Sequence, residues 1–445
     1  MNIVVIGSGY VGTTAAAIFA TSGHKVTAVD IDEKKVASLN EGKAPFFEEG
    51  LDNLITDAVK NDDLVATASY EAVASADVVF SCVGTPDNPD GSSNLTYVFD
   101  VAKKAAEEMK PGAIFVQKST VPVGTGREVL KLFPETISYV SNPEFLREST
   151  AIYDTLFFDR VVAGGDDTDA CSTILELHGT VETHAKDIAV ISDISVDIDA
   201  LAKHSGEYVT TRLESAELIK VTSNAFLALK ISFANSIAQL ADTTHADIDE
   251  VMGVVGSDAR IGKAFFKAGR GYGGGCFPKD VSGLISSAKS FGVNMPIMTA
   301  ASDVNASMPS YIIERIKKVH KLEGVPVAVL GLAFKAGTSD ARKSPAVKLA
   351  NLLVKEGAHV SAYDPQASEE AAPDLDASAT LCESIASAVK AARIVVVATD
   401  WPEFKDLSWV RAINTKPLVV DAVNCLVPSD VQALGAEYLG VGRGV

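Results

Sequence analysis

Residues 258–280 read DARIGKAFFKAGRGYGGGCFPKD, in which glycines 269, 271, 273, 274 and 275 run straight into Cys276. Such a run predicts a flexible loop whose backbone closes round a polar ligand. Arg260, Lys263, Lys267, Arg270 and Lys279 outnumber Asp258 and Asp280 there, in a chain whose formal net charge is −19. Exposed charges are screened over about 8 Å at physiological salt, so an anion near this segment feels the local cluster rather than the distant total. Lys263 or Lys267, taken singly, reads equally well as solvated surface. A free cysteine is most often a small buried hydrophobe. Cys276, however, has cations beside it, and Pro278 suits the first turn of a helix beginning after Phe277. Thiolate character rises in such a place, so Cys276 reads as a nucleophile. Asp280, one turn further on, reads as a carboxylate that holds a water or a proton. The cysteines at 82, 171, 382 and 425 lie in apolar or helical runs and read as structural.

A second constellation opens the chain. Gly7, Gly9 and Gly12 form GxGxxG after an apolar run and ahead of a helical one, with Tyr10 and Val11 between the last two. The first glycine permits a tight turn, the second lets the backbone approach a diphosphate, and the third allows close packing of helix on strand. Asp30 ends the next apolar run, where it would accept from a ribose hydroxyl. Ile31 follows rather than arginine, which favours NAD over NADP.

Further candidates are less decided on residue type alone. STVPVGT, from Ser119 to Thr125 with Thr120 inside it, follows a strand end, and its hydroxyls either bind cofactor or cap the next helix. In NPEFLRES a helical turn begun by Pro143 would set Glu144 and Glu148 on one face, for acid/base work, for ribose binding, or as surface decoration. Lys220 and Asn224 are also four apart, on an otherwise apolar helix; a buried lysine is costly unless paired or used, and the alternative is snorkelling to solvent. The seven histidines are dispersed without ligand spacing, and no metal or base role is assigned to them.

These residues need elements to position them. The first 30 residues read strand, glycine turn, helix, strand, and short β-branched or apolar runs follow at 77–82, 113–117, 137–141 and 160–163, separated by helical segments. That alternation predicts an α/β fold with a doubly wound, mostly parallel sheet. A second series from Pro326 (VAVLG, HVSAYDP, RIVVVATD, LVVDA) predicts another. Between them, residues 215–246 read as one long helix, apolar on most of its circumference and free of glycine and proline. Such a helix must be covered nearly all round, by its own chain or by a second subunit. The segment from about Glu182 to Gly206 shows no clear alternation and reads as an insertion.

At 445 residues, with 47% hydrophobic and 22% charged residues, the chain should fold as two or three domains with an ample core. Its acidity disfavours nucleic acid and anionic membrane partners and otherwise reflects solubility or a salty habitat. Five scattered cysteines without CxxC spacing argue against a disulfide framework or structural zinc. The N-terminus lacks the pattern of a signal peptide, and no apolar run reaches the roughly 20 residues a membrane span needs, so a cytoplasmic location is expected.

Taken in order, GSGYVG, VGTP (83–86), KSTVPVGT, NPEFLRE, AELIKVTSNAFLALK, GYGGGCFPKD and GLAFKAGTSDARKSP closely resemble the UDP-glucose/GDP-mannose dehydrogenase family, over nearly the whole chain. The resemblance implies an NAD-binding Rossmann domain at 1–212, a central helical dimerisation domain at 213–312 and a Rossmann-like UDP-sugar-binding domain at 313–445. It implies a four-electron oxidation by two NAD through a thiohemiacetal and a thioester on Cys276, with UDP-glucose the first substrate and GDP-mannose or a UDP-N-acetylhexosamine the alternative. On the same ground Lys220 with Asn224 would stabilise the oxyanion, Asp280 would hold a water or accept a proton, and Glu144 would serve thioester hydrolysis, with Thr120 also in the catalytic set. The cofactor residues implied are the GSGYVG turn, Asp30, Lys35, Thr85, Ser119, Thr120, Glu148, Lys279 and Arg342. For the sugar nucleotide they are Glu144, Phe145, Leu146, Arg147, Glu148, Lys220, Asn224, Arg260, the loop from Lys267 through Gly271, Tyr272 and Gly273, and Phe334 and Lys335, with Arg260 reaching in from a neighbouring subunit. A homodimer or higher homo-oligomer follows. Where the family's last strand commonly reads DGRN, this chain has Asp421, Ala422, Val423 and Asn424, so an expected arginine contact is missing. A binding protein that keeps the fold without turnover is the rival reading, and the presence of Cys276 and Lys220 speaks against it.

Overall fold

The computed structural model describes residues 1–413 and 415–443, and the chain divides into two compact units, 1–223 and 224–445. The first is built on an eight-stranded sheet: β1 (Asn2–Ile6), β2 (Lys25–Val29), β3 (Leu64–Thr67), β4 (Val78–Ser81), β5 (Ile114–Gln117), β6 (Ser138–Ser141), β7 (Arg160–Gly164) and β8 (Glu207–Thr211). Their order is β3-β2-β1-β4-β5-β6-β7-β8, parallel except where β7 meets β6. The four residues of β4 and of β5 are all buried, which is why they read as continuous apolar runs rather than alternating ones.

The second unit repeats the plan with β9 (Pro326–Leu330), β10 (His359–Tyr363), β11 (Thr380–Leu381), β12 (Ile394–Val397), β13 (Leu418–Asp421) and β14 (Glu437–Gly440), ordered β11-β10-β9-β12-β13-β14. In both sheets the chain order reverses beside the first strand, at β1/β4 and β9/β12. Ligands of open α/β sheets bind at the carboxyl ends of such a pair. The strands absent from the sequence reading, β3, β8, β11 and β14, lie towards or at the sheet edges, where short half-exposed runs carry little hydrophobic signal.

Residues 182–206 fold as part of the first unit and are not a loose excursion from it. The helix Thr168–Thr183 leads into Ala185–Ser192 and Ile198–Leu201 and then β8, and Ala185, Ile188, Ala189 and Leu201 belong to the buried core of the first unit. The helices here are too short for a periodic pattern to stand out.

The long helix runs Leu213–Thr244 and bridges the division of the chain. Near its start Glu217 is buried and accepts from the backbone N–H groups of Gly124 and Gly126, both at 2.7 Å, fastening the STVPVGT loop to the helix. Burial pushes this carboxyl up to about 7, against the two amide hydrogen bonds that pull it down.

Two outcomes follow. Ile188→Ala, at a fully buried position on the core face of the helix Ala185–Ser192, should cost about 2–4 kcal/mol in urea unfolding; a cost within error of zero would mean the segment is peripheral. Because the native state holds the Glu217 proton more tightly than the unfolded chain, the stability linked to it is complete below about pH 4.5 and is lost as pH rises through about 7, by on the order of 3 kcal/mol. Glu217→Gln should remove that component of the stability–pH slope, as read by urea unfolding between about pH 4.5 and 8, and an unchanged slope would contradict it.

Candidate active site

In the first unit the glycine turn follows β1 as expected. Gly7 has φ +101°, open to glycine at little cost, and a Cβ there would lie 2.9 Å from the Cys82 backbone. A Cβ on Gly12 would overlap the Gly7 carbonyl oxygen, whereas one on Gly9, the N-cap of the helix Tyr10–Thr21, meets nothing within 4 Å. The helix start is therefore open to a diphosphate, with Tyr10 and Val11 at its head. Asp30 accepts from the Ser8 N–H at 2.6 Å and from Asp32 at 3.0 Å, so one carboxylate ties the glycine turn to the end of β2. These residues fit NAD.

Lys35 sits half-buried on the helix Glu33–Asn40. The Tyr10 hydroxyl donates to Glu48, a buried carboxylate that also accepts from Ser149 and Ala151 at 2.8 and 2.7 Å. Burial and Glu48 together raise the Tyr10 phenol. Thr85 donates to the Thr120 carbonyl at 3.0 Å and Ser119 to that of Ser81 at 3.2 Å. Neither Ser119 nor Thr120 caps the helix Thr125–Leu130, whose N-cap is Gly124.

NPEFLRE is an irregular loop that ends in a turn at Glu148, not a helical turn from Pro143, so Glu144 and Glu148 do not share a helix face. The carboxylate of Glu144 instead turns to Lys220, 3.3 Å away, and accepts from the Leu146 N–H at 2.7 Å. Lys220 is buried, which settles its reading against snorkelling, and its ammonium lies 5.4 Å from the Phe145 ring, whose centre is 4.1 Å from the Arg160 guanidinium. Arg147 pairs with Asp154 at 2.5 Å, and its carbonyl accepts from Tyr10.

In the second unit Cys276, exposed, is the N-cap of the helix Phe277–Ser290, and the Asp280 N–H donates to its carbonyl at 2.8 Å. The helix thus begins at Phe277 rather than after it. Asp280 is buried and receives the Asn224 amide at 2.5 Å and the Lys279 ammonium at 2.7 Å. Asn224 stands one turn after Lys220 on the long helix.

The glycine loop is not flexible. Gly269 is held by Asn235 at 2.8 Å, Arg270 by the Ala422 carbonyl at 2.7 Å, Tyr272 by Asn305 at 2.7 Å and Gly274 by the Arg342 carbonyl at 2.9 Å. Its glycines are required by close approach: a Cβ would come within 2.5 Å of Asn305 at Gly271, 2.6 Å of the Lys343 carbonyl at Gly273, 2.9 Å of the Phe334 ring at Gly274 and 2.7 Å of the Arg342 guanidinium at Gly275.

Nor do all five cations of this stretch face solvent. Arg270 is wholly buried, donating to the carbonyls of Ala333, Ala398 and Phe334 and to Thr399, and burial drops its guanidinium to about 10. Arg260, exposed, is paired with Asp258 at 2.6 Å. Arg342 pairs with Asp340 at 2.6 Å, Lys335 lies 5.8 Å from the Phe334 ring, and Lys267 is exposed within Coulombic reach of Cys425.

Residue type alone did not single out Glu217, Lys118, Asn142, Asn235 or Asn305. The first two had a legible signal, a charged residue on an apolar helix and another at the end of an apolar strand. The asparagines act on backbone far away in sequence and had none.

Residues 1–182, 214–307 and 328–428 match, in turn, the NAD binding domain, the central domain and the UDP binding domain of the UDP-glucose/GDP-mannose dehydrogenase family. The chain is 38% identical over 452 residues to a UDP-glucose 6-dehydrogenase of Bacillus subtilis, covering 99% of this chain and 93% of that one. It is also 38% identical over 462 residues to one of Pseudomonas aeruginosa, covering 100% and 98%. The solved UDP-glucose dehydrogenase of Pyrobaculum islandicum superposes with a TM-score of 0.86 at 36% identity, covering 99% of this chain and 97% of that one. With three domain matches in order and relatives this similar over their full length, the chain belongs to the UDP-glucose/GDP-mannose dehydrogenase family.

Proposed function

We propose that this chain oxidises the CH2OH group of UDP-glucose to the carboxylate of UDP-glucuronate. The observation that carries the proposal is Cys276: of five cysteines it is the exposed one, set at a helix N-terminus with Asp280 fixed behind it. Similarity to UDP-glucose 6-dehydrogenases along the full chain supports the substrate.

Bound NAD supplies the hydride acceptor, once for each of the two two-electron steps. The chain's own residues do the rest. Asp280 takes the hydroxyl proton, directly or through a water, as the alcohol carbon gives up its first hydride and becomes an aldehyde. The Cys276 thiolate adds to that carbonyl, and the partial positive charge of the helix N-terminus holds the sulfur anion beforehand. Lys220 and the Asn224 amide stabilise the oxyanion of the thiohemiacetal, charge set in place before it is needed. Loss of the second hydride leaves a thioester. Glu144 removes a proton from water, which attacks the thioester; the C–S bond breaks and the Cys276 thiolate departs.

In this reading residues 1–212 hold NAD, 213–312 pair two subunits and 313–445 hold the UDP moiety. The pairing rests on the long helix, where Phe226, Phe233 and Leu240, seven residues apart, are 58, 48 and 59% exposed. Apolar side chains in such a row are covered by a second copy of the chain. Five free cysteines suit a reducing compartment, the cytoplasm.

UDP-glucose should yield two NADH per UDP-glucuronate, counted by absorbance, within a panel that includes GDP-mannose and UDP-N-acetylhexosamines. One NADH with aldehyde as end product, or preference for another sugar nucleotide, refutes the assignment. Cys276→Ser should lower acid formation by roughly three orders of magnitude; an unchanged rate would make the cysteine structural. Sedimentation should give a dimer that Leu240→Glu dissociates, and a wild-type monomer would refute the pairing.

A further inference from the structure

Lys118 is 5% exposed at the end of β5, inside KSTVPVGT, and nothing in the reaction above uses it. A lysine at such a depth is costly without a partner. Its ammonium donates to Asn142 Oδ1 at 3.0 Å, and Asn142, itself fully buried, is bound on every side: its N–H donates to the Gln117 carbonyl, its amide to the Val162 carbonyl at 2.8 Å, and Oδ1 also meets His178 Nε2 at 3.0 Å. Pro143 follows, then Glu144. The residue two positions before the proposed base is thus locked to a buried cation.

The charged and titratable groups facing Lys118 are Cys82 at the end of β4, His178 on the helix Thr168–Thr183, Glu144 and Lys220. Burial pushes the Cys82 thiol up to about 12 and holds the His178 imidazole well below its usual range, so both are neutral near pH 7. Burial also pulls the Lys118 ammonium down, Lys220 adds to that, and Glu144 opposes both. Around Lys118 that leaves the Glu144 carboxylate and the Lys220 ammonium as its charged neighbours. One of them, Lys220, is assigned to the oxyanion.

We propose that Lys118 is a positioning residue for thioester hydrolysis, fixing the NPEF loop through Asn142 and supplying a second buried positive charge to the Glu144 carboxylate. The proposal rests on the reading of Glu144 as the base. Removing the charge should favour the protonated carboxyl and so slow the step that needs a carboxylate.

The test is the pH dependence of thioester hydrolysis in the full-length enzyme with UDP-glucose and NAD. The acyl-enzyme is followed by quench and mass measurement after the NADH burst. In Lys118→Met the acid limb should move up by roughly one pH unit, with hydrolysis about ten-fold slower at pH values below the limb, little changed on the plateau above it, and the burst still close to two NADH per site. A rate lowered equally at every pH, with the limb in place, would make Lys118 merely structural and overturn the proposal. Should that variant fail to fold, Asn142→Asp keeps the shape and sets a negative charge between the same groups; its limb should also rise, and an unmoved limb overturns the proposal. In Glu144→Gln the limb should vanish. A limb that persists there overturns the role of Glu144 and the proposal with it, whereas a limb lost there but unmoved in Lys118→Met overturns the proposal alone.

Discussion

A lysine inside a protein keeps its charge only where a carboxylate or a set of dipoles meets it, and Lys220 is met by Glu144 at 3.3 Å. Much of the first unit is arranged round that requirement. Glu144 leaves the end of β6 in an irregular loop, where it meets Lys220 rather than lining up with Glu148. Backbone without regular structure lacks internal hydrogen bonds, so the loop is held from outside, at Asn142 by Lys118, Val162 and His178 and at Ser149 and Ala151 by Glu48. Glu48 in turn takes the Tyr10 hydroxyl, which connects the loop to the head of the helix that opens on the cofactor turn. The Lys220–Glu144 pair and the glycine turn thus share one chain of polar contacts.

The cysteine is positioned by a different means. Its loop is made rigid by the absence of side chains: backbone at Gly273, Gly274 and Gly275 lies where a Cβ would strike the Lys343 carbonyl, the Phe334 ring and the Arg342 guanidinium. A nucleophile on a mobile loop would lose effective concentration against its target. Here the N–H groups of Gly269, Arg270, Tyr272 and Gly274 are bonded, two of them to the side chains of Asn235 and Asn305, and the cysteine that ends the loop is the N-cap of a helix, so its backbone is held from several sides. Asp280, one turn on, receives the Asn224 amide and so belongs to the same fixed frame as the long helix.

The Rossmann turn, the strands buried on both faces and the long helix were legible in the sequence, because each has a local signature: glycine spacing, apolar runs of four or five, and apolar residues without a breaker. Cys276, Asp280, Lys220 and Glu144 were legible as residues through motif order. Their geometry was not. That Glu144 meets Lys220 rather than aligning with Glu148 depends on a tertiary pairing 76 residues away in sequence, which no local pattern encodes. The glycine loop was misread for the same reason. A glycine run signals freedom or crowding equally, and only the neighbours Asn305, Phe334 and Arg342 decide between them. Residues 182–206 showed no clear alternation because helices of eight and four residues bury too few side chains to show a period.

The two sheets also explain how one fold serves two tasks. Each carries a glycine of nearly equal φ after its first strand, Gly7 at +101° and Gly331 at +102°, pressed against the strand across the switch point. In the first unit the space beyond that turn is open at Gly9, and the helix start is left for a diphosphate. In the second, Arg270 lies buried over the carboxyl ends of β9 and β12, donating through Nε and Nη2 to the carbonyls of Ala333, Phe334 and Ala398. A buried guanidinium needs several such acceptors to offset its lost hydration, and a switch point, where two strands end side by side, offers them. The second sheet therefore uses its crevice to seat the loop that presents Cys276. Duplicating the fold gives an open glycine turn in one copy and an anchorage for the loop that ends at Cys276 in the other.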